Sequence, residues 1–293
     1  MSAGLLRSKG LQHPFRGVRS LGLDLDVPAE ACRAYAACMP PGAVFSHSTA
    51  ALLWGMPMPL AREKQLHVTV AVGQRAPRAR AVVGHQQCLR AGERVTTNGL
   101  SVTSPAATWA QLAELLSLED LIAVAEHIVT GNPYEKRLPL AEVADLEAAL
   151  AVRSGGAGHR SRVAALIEAR VGAFSRPETF VRLLLVRCGV PHPAINEDVY
   201  DKLGRFVAMP DLQWPEFRVA LEYQGDHHRS TKQFRRDISR LEKLVDADWL
   251  VVQVTAAELY GDPRVIVERV ARRLASRGWS GRIDLHHVVE FQR

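Results

Sequence analysis

The chain has 293 residues, 47% hydrophobic and 23% charged, an ordinary globular balance that excludes extended disorder. A net charge of +6 and a pI near 9.4 favour a polyanionic partner. No apolar run approaches the roughly 20 residues that a membrane span needs.

The opening "MSAGLLRSKGLQHPFRG" lacks the apolar core of a signal peptide. Cys32, Cys38, Cys88 and Cys188 are scattered, outside any CxxC or disulfide-framework spacing. A cytoplasmic protein with reduced thiols and no membrane association is therefore expected. At this length two cores are expected rather than one.

In the first half, "PAEACRAYAACM" and "SHSTAALLWG" read as short helices, the second capped at Ser46 or Ser48 and ended by Gly55 and Pro57. "QLHVTVAV", "AVVGHQQCL" and "LSVT" read as strands. "SPAATWAQLAELLSLEDLIAVAEHIV" opens with Ser104 as N-cap and Pro105 at N1 and continues as a helix or a helix pair. The loop "GQRAPRARA" carries Arg75, Arg78 and Arg80, which read as solvated, with phosphate contact as the alternative. "SHSTAALLWG" reads as core packing.

"AVRSGGAGHRSR" (151–162) is small, Gly-rich and basic, and reads as a linker. It would separate a small α+β domain (1–150) from a second domain (163–293). There the expected order is helix (161–171), helix (177–188), strands (194–200, 205–212, 217–223), helix (230–246), strand (249–254) and helix (262–276). Antiparallel strands followed by a helical crossover predict an α/β fold with a mixed sheet flanked by helices. Helix 230–246 would place Phe234, Ile238, Leu241 and Val245 on one stripe, with Arg235, Arg236, Arg240 and Lys243 off it.

The stretch "PDLQWPEFRVALEYQGDHH" (210–228) reads as a hairpin turning at "WPEF", with 214 facing 217 and 211 facing 220. Alternation puts Asp211, Ala220, Glu222 and Gln224 on one face and Leu212, Val219, Leu221 and Tyr223 on the other. Two carboxylates converging without a cation repel, and a hard divalent metal bridges them. The alternative is a solvated face of an edge hairpin. Gly225 ends the strand, and His227 and His228 add groups that ligate, bind phosphate or transfer protons.

Pro-Asp, ten intervening residues and then Glu-x-Gln resemble the PD-(D/E)XK nuclease superfamily. The longer run "LEYQGDHHRSTKQFRRDISRLEKLVDADWLVVQVT" resembles its Vsr-like, very-short-patch-repair branch of endonuclease domains, over about residues 161–280. The resemblance implies a restriction-endonuclease-like fold and Mg²⁺ or Mn²⁺ held by Asp211, Glu222 and the backbone carbonyl of Tyr223. It further implies a catalytic role for His228 and a place at the site edge for Asp237 and Arg240, the last two also reading as an i, i+3 ion pair. Arg235, Arg236 and Arg240 would face DNA. Gln224 stands where the superfamily usually has lysine and this branch often has aspartate. Glutamine orients water but supplies neither positive charge nor a further carboxylate. An acid on the first helix completes the family's metal cluster, and Glu178 offers one. Ser175-x-x-Glu178 is equally a capping box, so both readings stand.

"VFSHSTAALLWGMPMP" with "LSVTSPAATWAQLA" resembles AbiEi-type antitoxin and regulator proteins. Their usual start is a winged helix; here "LQHPFRGVRS" reads as its wing, so an incomplete winged helix without the preceding helix-turn-helix is expected. The combined expectation is a metal-dependent DNA endonuclease, in defence or repair, behind an AbiEi-like accessory domain that offers a surface for a protein partner. The alternative is a non-catalytic DNA-binding or antitoxin-like regulator with a degenerate nuclease fold.

Overall fold

Alternating β-branched runs and capped helices emerge as a mixed α/β fold in the computed structural model, which describes residues 11–59, 65–225, 240–289 and 291. The chain divides into two compact units, Met1–Ile128 with Leu140–Glu168, and Val129–Pro139 with Ala169–Arg293. Among the described residues no helix is long and apolar enough to cross a membrane.

The first unit opens with α1 (Pro28–Ala36), β1 (Val44–Phe45) and α2 (His47–Leu53). Strands β2 (Leu66–Val70), β3 (Val82–Gln86), β4 (Arg94–Thr97) and β5 (Leu100–Thr103) complete a sheet of order β3-β2-β1-β5-β4. The β4–β5 hairpin pairs Thr97 with Leu100. Its two-residue turn, Asn98-Gly99, has both residues at positive φ, 49° and 76°, as a two-residue turn matched to strand twist requires. Neither β1 nor β4 was expected from the sequence, β1 because two residues carry no period.

One sheet face packs Phe45, Leu66, Val68, Val70, Val82, Leu100 and Val102 against Cys32 and Tyr35 of α1. The expected helix pair is α3 (Pro105–Leu112), with Ser104 accepting from the Ala107 amide, and α4 (Leu118–Val129). Helix α2 packs on β2 and α3.

The stretch expected to be a linker lies inside this unit. It ends α5 (Val143–Val152), turns, and begins α6 (His159–Glu168). Arg162 is the reason: the residue is 1% exposed and its guanidinium donates to the carbonyls of Ala110, Ala157 and Arg153 at 3.0, 2.9 and 2.9 Å. One buried arginine thus ties this basic, Gly-rich stretch into the unit.

The second unit holds α7 (Arg176–Arg187), β6 (Ala194–Ile195), β7 (Val199–Tyr200), β8 (Phe206–Ala208), β9 (Leu212–Trp214) and β10 (Val219–Gln224). Helical residues 240–246 (α8), β11 (Leu250–Thr255), α9 (Ala256–Gly261) and α10 (Arg264–Ala275) follow. Its main sheet runs β11-β10-β9-β6, with β10 parallel to β11 and antiparallel to β9, so it is mixed as expected. Two expected strands are each divided. Residues 194–200 give β6 and β7, and 205–212 give β8, which pairs with β7 outside the main sheet, and then β9. Pro210, which has no amide to donate, falls in the second break.

On α8 the buried residue is Leu244, packed with Val199, Val207 and Ala208, whereas Val245, expected on the apolar stripe, is 62% exposed. Phe234 and Ile238 lie outside the described residues. Helix α10 buries Ile266, Val267, Val270 and Leu274 along one stripe.

Candidate functional site

The hairpin is built by its connection. Pro215–Phe217 form a single 3-10 turn, and Arg218, in the left-handed region at φ 49°, returns the chain to β10. Trp214 pairs with Val219, Gln213 with Ala220 and Leu212 with Leu221. The register expected from the sequence, with 211 opposite 220, is therefore displaced by two residues. The 3-10 turn and its left-handed exit consume four residues between the paired positions. An even displacement preserves facing, because side chains alternate with a period of two. Asp211, Gln213, Ala220, Glu222 and Gln224 share one face, and the next pair along the register sets Asp211 opposite Glu222.

Asp211 is fixed by its neighbours. Its carboxylate accepts from the Tyr223 amide at 2.7 Å, and its carbonyl accepts from the Asn196 amide at 3.0 Å. Burial, then the charges of Glu178 and Glu222, push its pKa well above the carboxylate range, against the Tyr223 amide and Arg240. Glu222 is 1% exposed and forms an ion pair with Arg240 of α8. Gln213 is equally buried and donates to the Glu197 carbonyl at 2.9 Å. Gln224 ends β10 one step further along the same face, paired by register with Thr255.

Glu178 sits buried in the first turn of α7. It accepts from Ser175 Oγ at 2.7 Å, the Phe174 amide at 2.9 Å and Asn196 Nδ2 at 2.8 Å, while Ser175 caps the helix by accepting from the Glu178 amide. Burial raises its pKa despite those donors, and its charge reaches Asp211. Asn196, at φ 48°, had no signal in the sequence; it bridges Glu178 to the Gly172 carbonyl at 2.9 Å.

The fold thus brings together Glu178, Asp211, Glu222, Tyr223 and Arg240, with Gln224 beside them. His227, His228, Arg235, Arg236 and Asp237 lie outside the described residues. Arg75, Arg78 and Arg80 are exposed on their loop. An oxygen-only donor set on one sheet face suits a hard divalent cation, with Arg240 holding part of the compensating charge.

A second constellation escaped sequence reading. Among the described residues, the group of three metal-ligating side chains whose donor atoms all lie within 4.8 Å of one another is His47, His67 and His85. β2 and β3 are parallel, with His67 opposite Val83 and Thr69 opposite His85, so His67, Thr69 and His85 share the sheet face beneath α2. His67 Nδ1 lies 3.0 Å from His85 Nε2, and the His47 and His85 rings stack at 3.8 Å. Gly84, next to His85 but on the opposite sheet face, lets Pro77 approach β3: a Cβ there would meet the Pro77 carbonyl oxygen at 2.3 Å. His47 begins α2 at φ 50°, held by its amide donating to Gln111 Oε1 at 3.1 Å. Burial first, then the neighbouring histidines and Arg153, lower the His47 pKa to about 3, so the ring is neutral at physiological pH.

These histidines lie in the segments read from the sequence as a packing helix and two strands, and no short spacing joins them. The available signal was β2 itself, "LHVTV", whose alternating polar residues are all buried.

No family model matches the chain, and no solved structure matches it. Two proteins of Mycobacterium tuberculosis are similar to it, "Uncharacterized protein MT2308" of strain CDC 1551 / Oshkosh and "Uncharacterized protein Rv2248" of strain ATCC 25618 / H37Rv. Each is 27% identical over 210 residues, covering 70% of this chain and 74% of the relative.

Proposed function

We propose that the second unit is a metal-dependent DNA endonuclease domain of restriction-endonuclease-like fold, related to the Vsr-like branch of the PD-(D/E)XK superfamily. The carrying observation is the placement of Asp211 and Glu222 on one face at the end of β9–β10, with the Tyr223 amide fixed on Asp211. Asp211, Glu222 and the Tyr223 carbonyl would hold Mg²⁺ or Mn²⁺. The bound cation supplies Lewis acidity and an acidified water. Glu178, anchored by Ser175 and Asn196, would offer a further carboxyl oxygen to the cluster from α7. Arg240 limits the repulsion between the acids and presents a cation toward a phosphate. Gln224 positions a water through its amide, without the charge of a lysine. The first unit is proposed as an AbiEi-like accessory domain with a surface for a protein partner.

Two observations support a second reading, a DNA-binding regulator without catalysis. Arg240 already pairs with Glu222, and both Glu178 oxygens already accept hydrogen bonds.

Cleavage of supercoiled, linear and mismatched DNA in Mg²⁺ and Mn²⁺ separates the readings. The nuclease reading expects cleavage by the wild type, its loss in Asp211→Ala and in Glu222→Ala, and retained or raised activity in Gln224→Lys. DNA binding that weakens steeply with salt, with no cleavage by wild type or Gln224→Lys, would leave the regulator.

A further inference from the structure

We propose that His47, His67 and His85 form a binding site for a borderline-soft divalent cation of the Zn²⁺ class, with a fourth coordination position open to the adjoining cavity. This site is separate from the acidic face and rests on none of the nuclease reading.

The donor set selects the metal. Three imidazoles without a carboxylate suit Zn²⁺, Co²⁺, Ni²⁺ or Cu²⁺ and do not suit Mg²⁺ or Ca²⁺. Zinc at roughly 2.0–2.1 Å from each nitrogen places tetrahedral ligands on the order of 3.4 Å apart. Donor atoms all within 4.8 Å of one another reach that spacing by modest ring rotations, which also separate the stacked His47 and His85 rings.

The surroundings resemble a support shell more than an apolar core. His47 Nδ1 lies 3.0 Å from Ser46 Oγ, which accepts from Thr69 Oγ1 at 2.8 Å. With Nδ1 engaged by a hydroxyl, Nε2 is the nitrogen left for a metal, the arrangement by which outer groups fix a ligating ring. The His67 amide donates to Thr49 Oγ1 at 2.7 Å, and Gln111, which accepts from the His47 amide, donates to Gln87 Oε1 at 2.5 Å. His47 is also held in a backbone region that residues with a Cβ seldom occupy, and such outliers gather at functional sites.

Space for a further ligand is present. His47 and His85 line a cavity of about 290 Å³ together with Gln87, Gln111, Glu114 and Arg153. Its polar walls suit a water or a small oxygen-donor ligand at the fourth position.

The test uses the full chain, stripped by chelator and titrated with Zn²⁺ while millimolar Mg²⁺ occupies oxygen-donor sites. One equivalent should bind with micromolar or tighter affinity, and His85→Ala should weaken it by about 10²-fold, as loss of one of three ligands implies. Co²⁺ should give the intense visible bands of four-coordinate nitrogen ligation. Because a variant at the buried His67 risks misfolding, the wild-type Cu²⁺ electron-spin-echo signal of coordinated imidazole serves as a measurement needing no variant. Absence of Zn²⁺ binding, binding unchanged in a folded His85→Ala protein, or a Cu²⁺ signal without imidazole would each overturn the proposal.

Discussion

The two units bury polar groups by the same physics with opposite chemical results. In the first, desolvation drives His47 toward its neutral form, which is the form that ligates metal. In the second, desolvation drives Asp211 and Glu178 toward theirs, which for a carboxyl is the form that does not. Burial thus favours the ligating form of the His47 imidazole and disfavours that of the two carboxyls, so a cation at the acidic face would compete with protons. The donors divide in the same way, nitrogen and borderline-soft in one unit, oxygen and hard in the other.

The largest effect expected on this comparison comes from removing the arginine that ties 151–162 into the first unit. Arg162→Ala removes a buried guanidinium that donates to the carbonyls of Ala110, Ala157 and Arg153 and should cost about 3 kcal/mol. Denaturant unfolding followed through the buried Trp109 measures it, and a cost below about 1 kcal/mol would place Arg162 outside the core.

Acid pH should separate the units next. His47 has a folded pKa of about 3 against an ordinary 6.5, so its contribution is intact above pH 6.5 and is lost as pH falls toward 3. At about 1.4 kcal/mol per pH unit this amounts to about 3 kcal/mol by pH 4. Asp211 and Glu178 are raised, so their contribution has the opposite sign: complete below the ordinary carboxyl range and lost as pH rises toward their folded values. Amide exchange resolved by unit should show the first unit loosening on acidification, with His47→Gln flattening that slope. Equal pH slopes in wild type and His47→Gln would break the comparison.

A smaller effect tests the support of Glu178. Ser175→Ala removes the cap of α7 and should cost about 1 kcal/mol by thermal or chemical unfolding. Smallest of all, replacing Arg75, Arg78 and Arg80 with Gln should change stability by less than about 0.5 kcal/mol, as solvated side chains imply. Substantially weaker DNA binding in that triple variant would instead assign the loop to phosphate contact.

What the sequence made legible followed from local rules. Alternation alone placed Asp211, Ala220, Glu222 and Gln224 on one face, and Ser104-Pro105 and Ser175-x-x-Glu178 marked two helix starts. Facing survived a wrong register because a displacement of two keeps parity. The register itself was hidden in the left-handed Arg218, a conformation that arginine does not advertise. Sequence composition also misread 151–162, since only the tertiary contacts of Arg162 distinguish a packed turn from a linker. The histidine cluster was illegible for a related reason. Its members stand in three separate elements and meet only through the β2–β3 register and the entry of α2 onto the same face. A fully buried strand with histidine and threonine at alternate positions is the trace it leaves in one dimension.

The proposal most exposed to test is that the acidic face of the second unit is a cation site at which protons compete with the cation. Titration calorimetry with Mn²⁺ near pH 6, repeated in buffers of different ionisation enthalpy, measures binding and proton release together. The proposal predicts one bound cation, proton release on binding because both carboxyls are raised, and loss of both signals in Asp211→Ala. Mn²⁺ binding without proton release, or the same binding in Asp211→Ala, would contradict it.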